Sequence, residues 1–233
     1  MKKLIHPKML YFGTPVVLLS SLNPDGTTNL APMSSAWWLG RTAMLGMSAH
    51  SRTVANLTER PEVVLNLVDP GLVAAVDRIA LLTGRPDVPE AKQARGYTYC
   101  PDKFEAAGLT PVPSGQERGA AGDPASGKPQ AVGESLIHMD GVVRDVHEVD
   151  EPGAGLRALE VAITATYVED DLMMADHPEH IDARRWDPLI MKFTQYFGGG
   201  RVLQASSLAR GWRVPQQAAP DAVQPSPARS ALR

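Results

Sequence analysis

The stretch SAHSRTVANLTERPEVVLNL, residues 48–67, is predicted to contain the end of a strand, a short helix and a complete strand. Ser51 suits a helix N-cap, because its hydroxyl can accept a hydrogen bond from a free N–H of the first turn. Val54 and Leu57 give the helix one apolar stripe, and Pro61 ends it. The run EVVLNLV at 62–68 is typical of a buried strand. The chain therefore returns to a sheet after one short helix.

The start of this helix also carries a group of hydroxyls and one arginine, at Ser48, Ser51, Arg52 and Thr53. Free N–H groups, the helix dipole and a guanidinium fork together form a good binding site for an anion, especially a phosphate. The alternative is an ordinary capped helix with a surface arginine, which is a common arrangement. These residues alone leave both interpretations open.

Further strands are predicted on both sides of this stretch. Residues 16–22 form a run so continuously apolar that both faces of the strand should be covered. NPDG at 23–26 predicts a tight turn, because proline fixes the second position and glycine relieves the last. Strands are also expected at 43–48, 135–149 and 158–173.

Helical segments are predicted between these strands, at 71–84, 89–97 and 100–110. Because strands and helices do not alternate throughout, the pattern does not favour a parallel doubly wound sheet. It favours a mostly β protein with inserted helices, in which an antiparallel sheet closes into a small barrel. Closure would remove the exposed sheet edges.

The chain is predicted to form a single domain over residues 1–214. A segment rich in glycine, proline and serine, about 113–131, is expected to be a flexible loop. The tail at 215–233 is too poor in large apolar residues to order itself, so we expect it to be disordered.

Composition narrows the class of protein. A net charge of −3 and a pI near 6.1 give no electrostatic reason to expect nucleic acid or an anionic membrane as a partner. A single cysteine cannot form an internal disulfide, and no apolar run reaches the roughly 20 residues that span a bilayer. We therefore expect a cytoplasmic protein without a membrane segment.

A second unusual stretch is NLAPMSSAWWLG at 29–40. Pro32 cannot donate to a sheet ladder, and two hydroxyls and two tryptophans follow it. Free backbone N–H groups and wide aromatic faces would suit a flat heteroaromatic ligand. The alternative is a strand end with Trp37 or Trp38 in the core, because adjacent strand residues face opposite ways.

Taken in order, NPDGT, NLAPMSS, SRTVANL and EVVLNL resemble the flavin reductase family, whose fold is an FMN-binding Greek-key split barrel. CPDKFEAAGLTPVPS at 100–114 and DPLIMKFTQYFGGG at 187–200 are similar to later segments of that family. The likeness covers roughly residues 10–212. As an ordered set these segments are far more specific than any one motif.

The resemblance implies FMN held between the two subunits of a homodimer, with NADH or NADPH as the hydride donor. By this resemblance Met33, Ser34 and Ser35 lie along the isoalloxazine and ribityl chain. The turn at Ser51, Arg52 and Thr53 takes the 5′-phosphate, and Asn56 matches an asparagine of the family pattern. Tyr196 is implied as a pocket residue, as are Trp37 and Trp38, which are bulkier than in many members. No catalytic acid or base is implied, because the flavin itself does the chemistry.

Three functions remain open. The first is an NAD(P)H:flavin oxidoreductase that supplies reduced flavin, including to a partner monooxygenase. The second is an FMN-bound reductase of one organic substrate, and the third is a flavin-binding carrier without turnover. No metal site is expected: His177 and His180 are interpreted as solvated loop residues, and Cys100 as a partly buried structural thiol.

Overall fold

A computed structural model describes residues 1–7, 9–115, 127–204, 206–211 and 215. Seven antiparallel strands form its main sheet. In chain order they are β1 (Val17–Leu22), β2 (Thr28–Met33), β3 (Ala36–Leu39), β4 (Thr42–Ser48), β5 (Glu62–Leu67), β6 (Ile137–Val149) and β7 (Leu156–Val168). Their spatial order in the sheet is β2-β1-β5-β6-β7-β4-β3.

The connection between β2 and β3 shows that this sheet curls into a barrel. These strands occupy its two opposite edges, yet only Ser34 and Ser35 separate them in the chain. The two edges must therefore lie together. The backbone N–H of Gly46 in β4 donates to the carbonyl of Ser35 at 2.8 Å, which fixes the connection against the barrel wall. The predicted antiparallel split barrel is confirmed, and Ser34 and Ser35 lie at its split.

Helices and short strands surround the barrel. The helices are α1 (Arg52–Glu59), α2 (Val73–Arg78), α3 (Glu90–Gln93), α4 (Lys103–Ala107) and α5 (Leu208–Gly211), with 3₁₀ turns at Pro70–Leu72 and Asp170–Leu172. The short strands are Thr14–Pro15, Leu82–Thr83, Thr98–Tyr99, Pro111–Val112, Ala131–Val132, Met173–Met174, His177–Ile181, Ile190–Lys192 and Gln195–Phe197.

The core has two parts, one on each face of the sheet. The inner cluster, which includes Leu45 of β4, fills the barrel, and Val54 and Leu57 of α1 pack into it. The outer cluster joins the other face to α2 and α4, with Leu18 and Phe104 among its members. All six residues of β1 are buried, which confirms that both of its faces are covered.

Three sequence predictions need correction or a limit. The helix predicted over 71–84 ends at Arg78, because Leu82–Thr83 pairs in parallel with Thr98–Tyr99 instead. Residues 36–39 are predicted only as the end of a strand, but they form a separate strand, β3. At the far end of the predicted 113–131 loop, Ala131 belongs to a strand paired with Val112. The middle of that loop and nearly all of the predicted disordered tail lie outside the described residues.

Candidate functional site

The N-terminus of α1 is capped as predicted. The Ser51 hydroxyl accepts from the N–H of Val54 at 3.1 Å, and no acidic residue occupies the first turn. Within the described residues, the N–H groups of Arg52 and Thr53 have no acceptor. The helix start therefore presents free donors and the positive end of its dipole to a neighbouring anion.

A backbone contact at Gly84 holds the Arg52 side chain. Arg52 Nε donates to the Gly84 carbonyl at 3.0 Å. A Cβ at residue 84 would lie 2.5 Å from Asn29 Oδ1 and 3.2 Å from Arg52 Cγ, so any larger residue would have to displace these side chains. The sequence indicated Gly84 only as the end of a helix. Since the contact joins residues 32 positions apart, no local pattern could have revealed it.

Two of the predicted site residues are buried in a polar network that attaches α1 to the β1–β2 hairpin. The hydroxyl of Thr53 accepts from Asn29 Nδ2 at 3.3 Å. Asn56 Nδ2 donates to Ser21 Oγ at 3.2 Å and to Asn23 Oδ1 at 3.0 Å, and Asn56 is only 1% exposed. The Thr53 and Asn56 side chains are therefore buried and hold α1 against the hairpin, whereas Ser51 and Arg52 are only partly buried.

The other predicted flavin-contacting residues lie at the split. Met33 ends β2 and packs against the inner cluster. Ser35 is held through its carbonyl by Gly46, and its hydroxyl bonds the Tyr11 hydroxyl at 3.3 Å. Strand β4 then ends at Ser48, whose carbonyl accepts from the Ser51 N–H at 3.0 Å. From Gly46, which is bonded to Ser35 at the split, the chain therefore reaches the start of α1 after two more residues of β4 and one tight turn.

The aromatic candidates have three different environments. Trp37 is 56% exposed on the edge strand β3, whereas Trp38 packs against the inner cluster. One tryptophan therefore faces out and the other, Trp38, is partly buried against the core without being one of its fully buried residues. Tyr196 packs against the outer cluster, where burial raises the pKa of its hydroxyl. The structure brings Met33, Ser34, Ser35 and Trp37 together at the split, and places Tyr196 in a different layer.

Arg52 also lines a cavity of about 850 Å³. The β1–β2 turn forms one wall, and the Gly84 segment and the approach to α4 form others. Strand β2 begins at the cavity with Thr28 and ends at the split with Met33. Six strand residues span about 17 Å, so the cavity and the split lie at opposite ends of β2.

Beside this cavity the structure buries a lysine that the sequence analysis did not single out. Lys103 is only 4% exposed, and its Nζ donates to the carbonyl of Leu30 on the edge strand β2 at 2.5 Å. The pKa of this ammonium is lowered to about 8, chiefly by burial. Cys100 opposes the shift, and Lys92 and Arg52 add smaller contributions that lower it. Cys100 itself is partly buried, as expected, and its thiol donates to the Asp102 carbonyl.

The histidine pair lies on a separate hairpin. His177 and His180 belong to the strand His177–Ile181, with ring centroids 6.1 Å apart. Within the described part of the chain, no group of three or more His, Cys, Asp or Glu is placed to hold a metal ion. The same residues include no helix that is long and apolar enough to cross a membrane.

Comparison with known proteins places this geometry in a family. The flavin reductase like domain matches residues 9–197. An uncharacterized protein of Bacillus subtilis (strain 168), YdfE, is 35% identical over 199 residues, covering 85% of this chain and 90% of the relative.

Among solved structures, flavoredoxin of Desulfovibrio vulgaris (Miyazaki F) is similar with a TM-score of 0.68, at 19% identity, over 91% of this chain and all of that one. Nitrilotriacetate monooxygenase component B from Bacillus cereus gives a TM-score of 0.63 at 20% identity, over 83% of this chain and 88% of that one. At these identities the structures show a shared fold. The family match over most of its length shows that the chain belongs to the flavin reductase-like, flavin-binding family.

Proposed function

We propose that the protein is an FMN-dependent oxidoreductase that takes hydride from NADH or NADPH and delivers the electrons as reduced flavin. The observation that carries this proposal is the free, positively polarised start of α1, placed one tight turn from the split of the barrel. The family supports a flavin as the ligand. The choice of FMN as the flavin and of a nicotinamide nucleotide as the hydride donor goes beyond the family match and is part of the proposal.

The residues at the helix start fit a phosphate monoester. The N–H groups of Arg52 and Thr53 have no acceptor in the described structure, and the Arg52 guanidinium adds a positive charge beside them. Ser51 completes the cap, so the first turn is rigid before any ligand arrives. In the proposal these groups hold the 5′-phosphate of FMN, while Thr53 and Asn56 fix the helix against the hairpin.

The split would hold the rest of the cofactor. Ser34 and Ser35 offer short side chains and backbone groups where the two edges of the barrel meet, and Trp37 presents an exposed aromatic face next to them. When bound, FMN would supply the redox chemistry through its isoalloxazine. The protein would orient the ring system and leave one face open for the nicotinamide, and this requires no protein acid, base or nucleophile.

The direct test is anaerobic. Purified protein is mixed with one equivalent of FMN, NADH or NADPH is added, and flavin absorbance is followed. We expect bleaching much faster than that of free FMN with the same nucleotide. A spectrum that stays yellow with both nucleotides would contradict the proposal and favour a carrier. If excess free FMN accelerates NADH oxidation, reduced flavin is the product; if only one organic acceptor does so, the protein is a substrate-specific reductase.

The likeness to a monooxygenase component supports a flavin-dependent monooxygenase as the recipient of the reduced flavin. In the proposal the protein works in the cytoplasm, in keeping with its single, reduced cysteine.

We also propose a homodimer. Exposed apolar side chains collect where β3 lies beside Thr14–Pro15, including Trp37 and Leu39 of β3 and the Phe12–Phe193 ring pair. Such patches on a folded chain are typical of interfaces.

We expect sedimentation equilibrium to give twice the chain mass, and Leu39→Glu to give a folded monomer. A monomeric wild-type protein would contradict the proposal.

A further inference from the structure

The segment before the barrel is anchored by residues close to the other end of the chain. Tyr11 belongs to no helix or strand, but its carbonyl accepts from the N–H of Phe193 at 2.6 Å. The rings of Phe12 and Phe193 meet edge to face, with centroids 5.2 Å apart. Immediately afterwards Thr14–Pro15 pairs with Ile190–Lys192. These contacts fix the backbone of Tyr11 and therefore the direction of its side chain.

The anchored segment places the phenol of Tyr11 at the split. Its hydroxyl lies 3.3 Å from the hydroxyl of Ser35, although 24 positions separate the two residues. Ser35 is itself firmly held, because its carbonyl accepts from the Gly46 N–H. A Cβ at residue 46 would lie only 3.1 Å from Ser35 Cβ, so the serine packs directly on the barrel wall. The two hydroxyls therefore meet at a fixed point between the edges of the barrel.

This pair of hydroxyls has a donor to spare. Each hydroxyl carries one hydrogen, and the bond between them uses only one of the two. Ser35 is the donor and the Tyr11 oxygen is the acceptor. The Tyr11 hydroxyl in turn has no acceptor within the described residues, and the residue is 38% exposed. A ligand lying in the split can therefore accept a hydrogen bond from it.

We infer that Tyr11 is a further binding residue of the split, and that its hydroxyl donates a hydrogen bond to the ring system of the flavin. The carbonyl oxygens and ring nitrogens of an isoalloxazine accept such bonds, and Trp37 presents an aromatic face next to Ser35. This inference rests on the proposed function, because it takes the split as the place where the ring system binds. It assigns Tyr11 to the ring system, whereas Arg52 is assigned to the phosphate.

A donor at this position should favour the reduced flavin. Reduction places more negative charge on the ring system, and hydrogen bonds to charged acceptors are roughly twice as strong as bonds between neutral groups. Tyr11 should therefore stabilise bound FMN more in its reduced state than in its oxidised state, and raise its midpoint potential. A residue that only supports the fold would change the stability of the protein and leave this potential unchanged.

The test removes one oxygen atom. Tyr11→Phe keeps the ring and the backbone contacts of the segment, so the variant should fold. We expect it to weaken the binding of FMN and of riboflavin equally, by about five-fold, the scale of one lost hydrogen bond. It should also lower the midpoint potential of bound FMN. Fluorescence titration measures the affinities, and spectroelectrochemical titration measures the potential. Because riboflavin lacks the phosphate, a loss confined to FMN would overturn the inference.

Tyr97→Phe is the matched control, because it removes a phenol oxygen from a ring that contacts Lys92. Both affinities and the midpoint potential should be the same as in the wild type. If Tyr11→Phe also matches the wild type in all three, or loses only thermal stability, the inference is overturned and the proposed function stands. If the wild-type protein binds neither flavin, the proposed function fails and the inference fails with it.

Discussion

Replacing Arg52 with alanine is expected to weaken FMN binding by about 1–3 kcal/mol, or about 5- to 150-fold in Kd. The guanidinium is held by Gly84 with its terminal nitrogens free, beside a helix start whose N–H groups also have no acceptor among the described residues. The substitution removes the charge and leaves Ser51 and the first turn in place. Fluorescence titration with FMN and with riboflavin is the measurement. Riboflavin lacks the phosphate, so its affinity should not change.

Two further variants make this test specific. Arg85→Ala removes a neighbouring arginine whose guanidinium pairs with Asp87 and does not line the cavity, so it should leave FMN affinity unchanged. Gly84→Ala keeps Arg52 but places a Cβ against Asn29 Oδ1 and Arg52 Cγ. It should weaken FMN selectively over riboflavin, as Arg52→Ala does. Equal loss of FMN and riboflavin affinity in Arg52→Ala would show that the arginine does not bind the phosphate.

Much of the fold could be predicted from local patterns. The capped helix α1 and the continuous apolar run of β1 each have a short-range physical cause, and each is found where the sequence indicates it. The strand predicted at 158–173 is also present as β7, but it ends at Val168, before the 3₁₀ turn at Asp170–Leu172. The split itself was suggested by family resemblance. Its physical cause, two opposite sheet edges joined by Ser34 and Ser35, requires the strand order, which no local window contains.

The surroundings of the site were less predictable, because they depend on contacts between distant residues. Leu82 and Thr83 continue a helical pattern, but pairing with Thr98–Tyr99 and the approach of Gly84 to Arg52 draw them out of the helix. Asn29 looks like an ordinary polar residue in the sequence, and Asn56 is marked only by the family resemblance; their roles in the network appear only when α1 packs against the hairpin. Lys103 occupies a helix position where an exposed lysine would be usual, and only the edge strand β2 beside it makes the burial visible.

This buried lysine should make stability depend on pH in an unusual direction. In the unfolded chain a lysine titrates near its ordinary value of 10.5, whereas burial lowers the pKa of folded Lys103 to about 8. Between these values the unfolded state binds more protons, so the free energy of unfolding rises as pH rises. The shift corresponds to about 3 kcal/mol. This penalty is fully present below pH 8, falls progressively through the window, and is absent above about 10.5.

Lys103→Met removes the charge and keeps most of the side-chain length. At pH 7.5 we expect the variant to be more stable than the wild type by about 2 kcal/mol, because the lost bond to the Leu30 carbonyl offsets about 1 kcal/mol of the relieved penalty. The advantage should shrink as pH rises from 8 to 10. Urea unfolding at several pH values measures this advantage, and the difference between the two proteins cancels the contribution of groups that titrate in both.

Lys92→Met is the matched control, because that ammonium is less buried and also has a lowered pKa. Its stability difference from the wild type should also shrink as pH rises, but it should be smaller than that of Lys103→Met. A wild-type minus variant difference that stays constant with pH would mean that folded Lys103 titrates as an ordinary lysine.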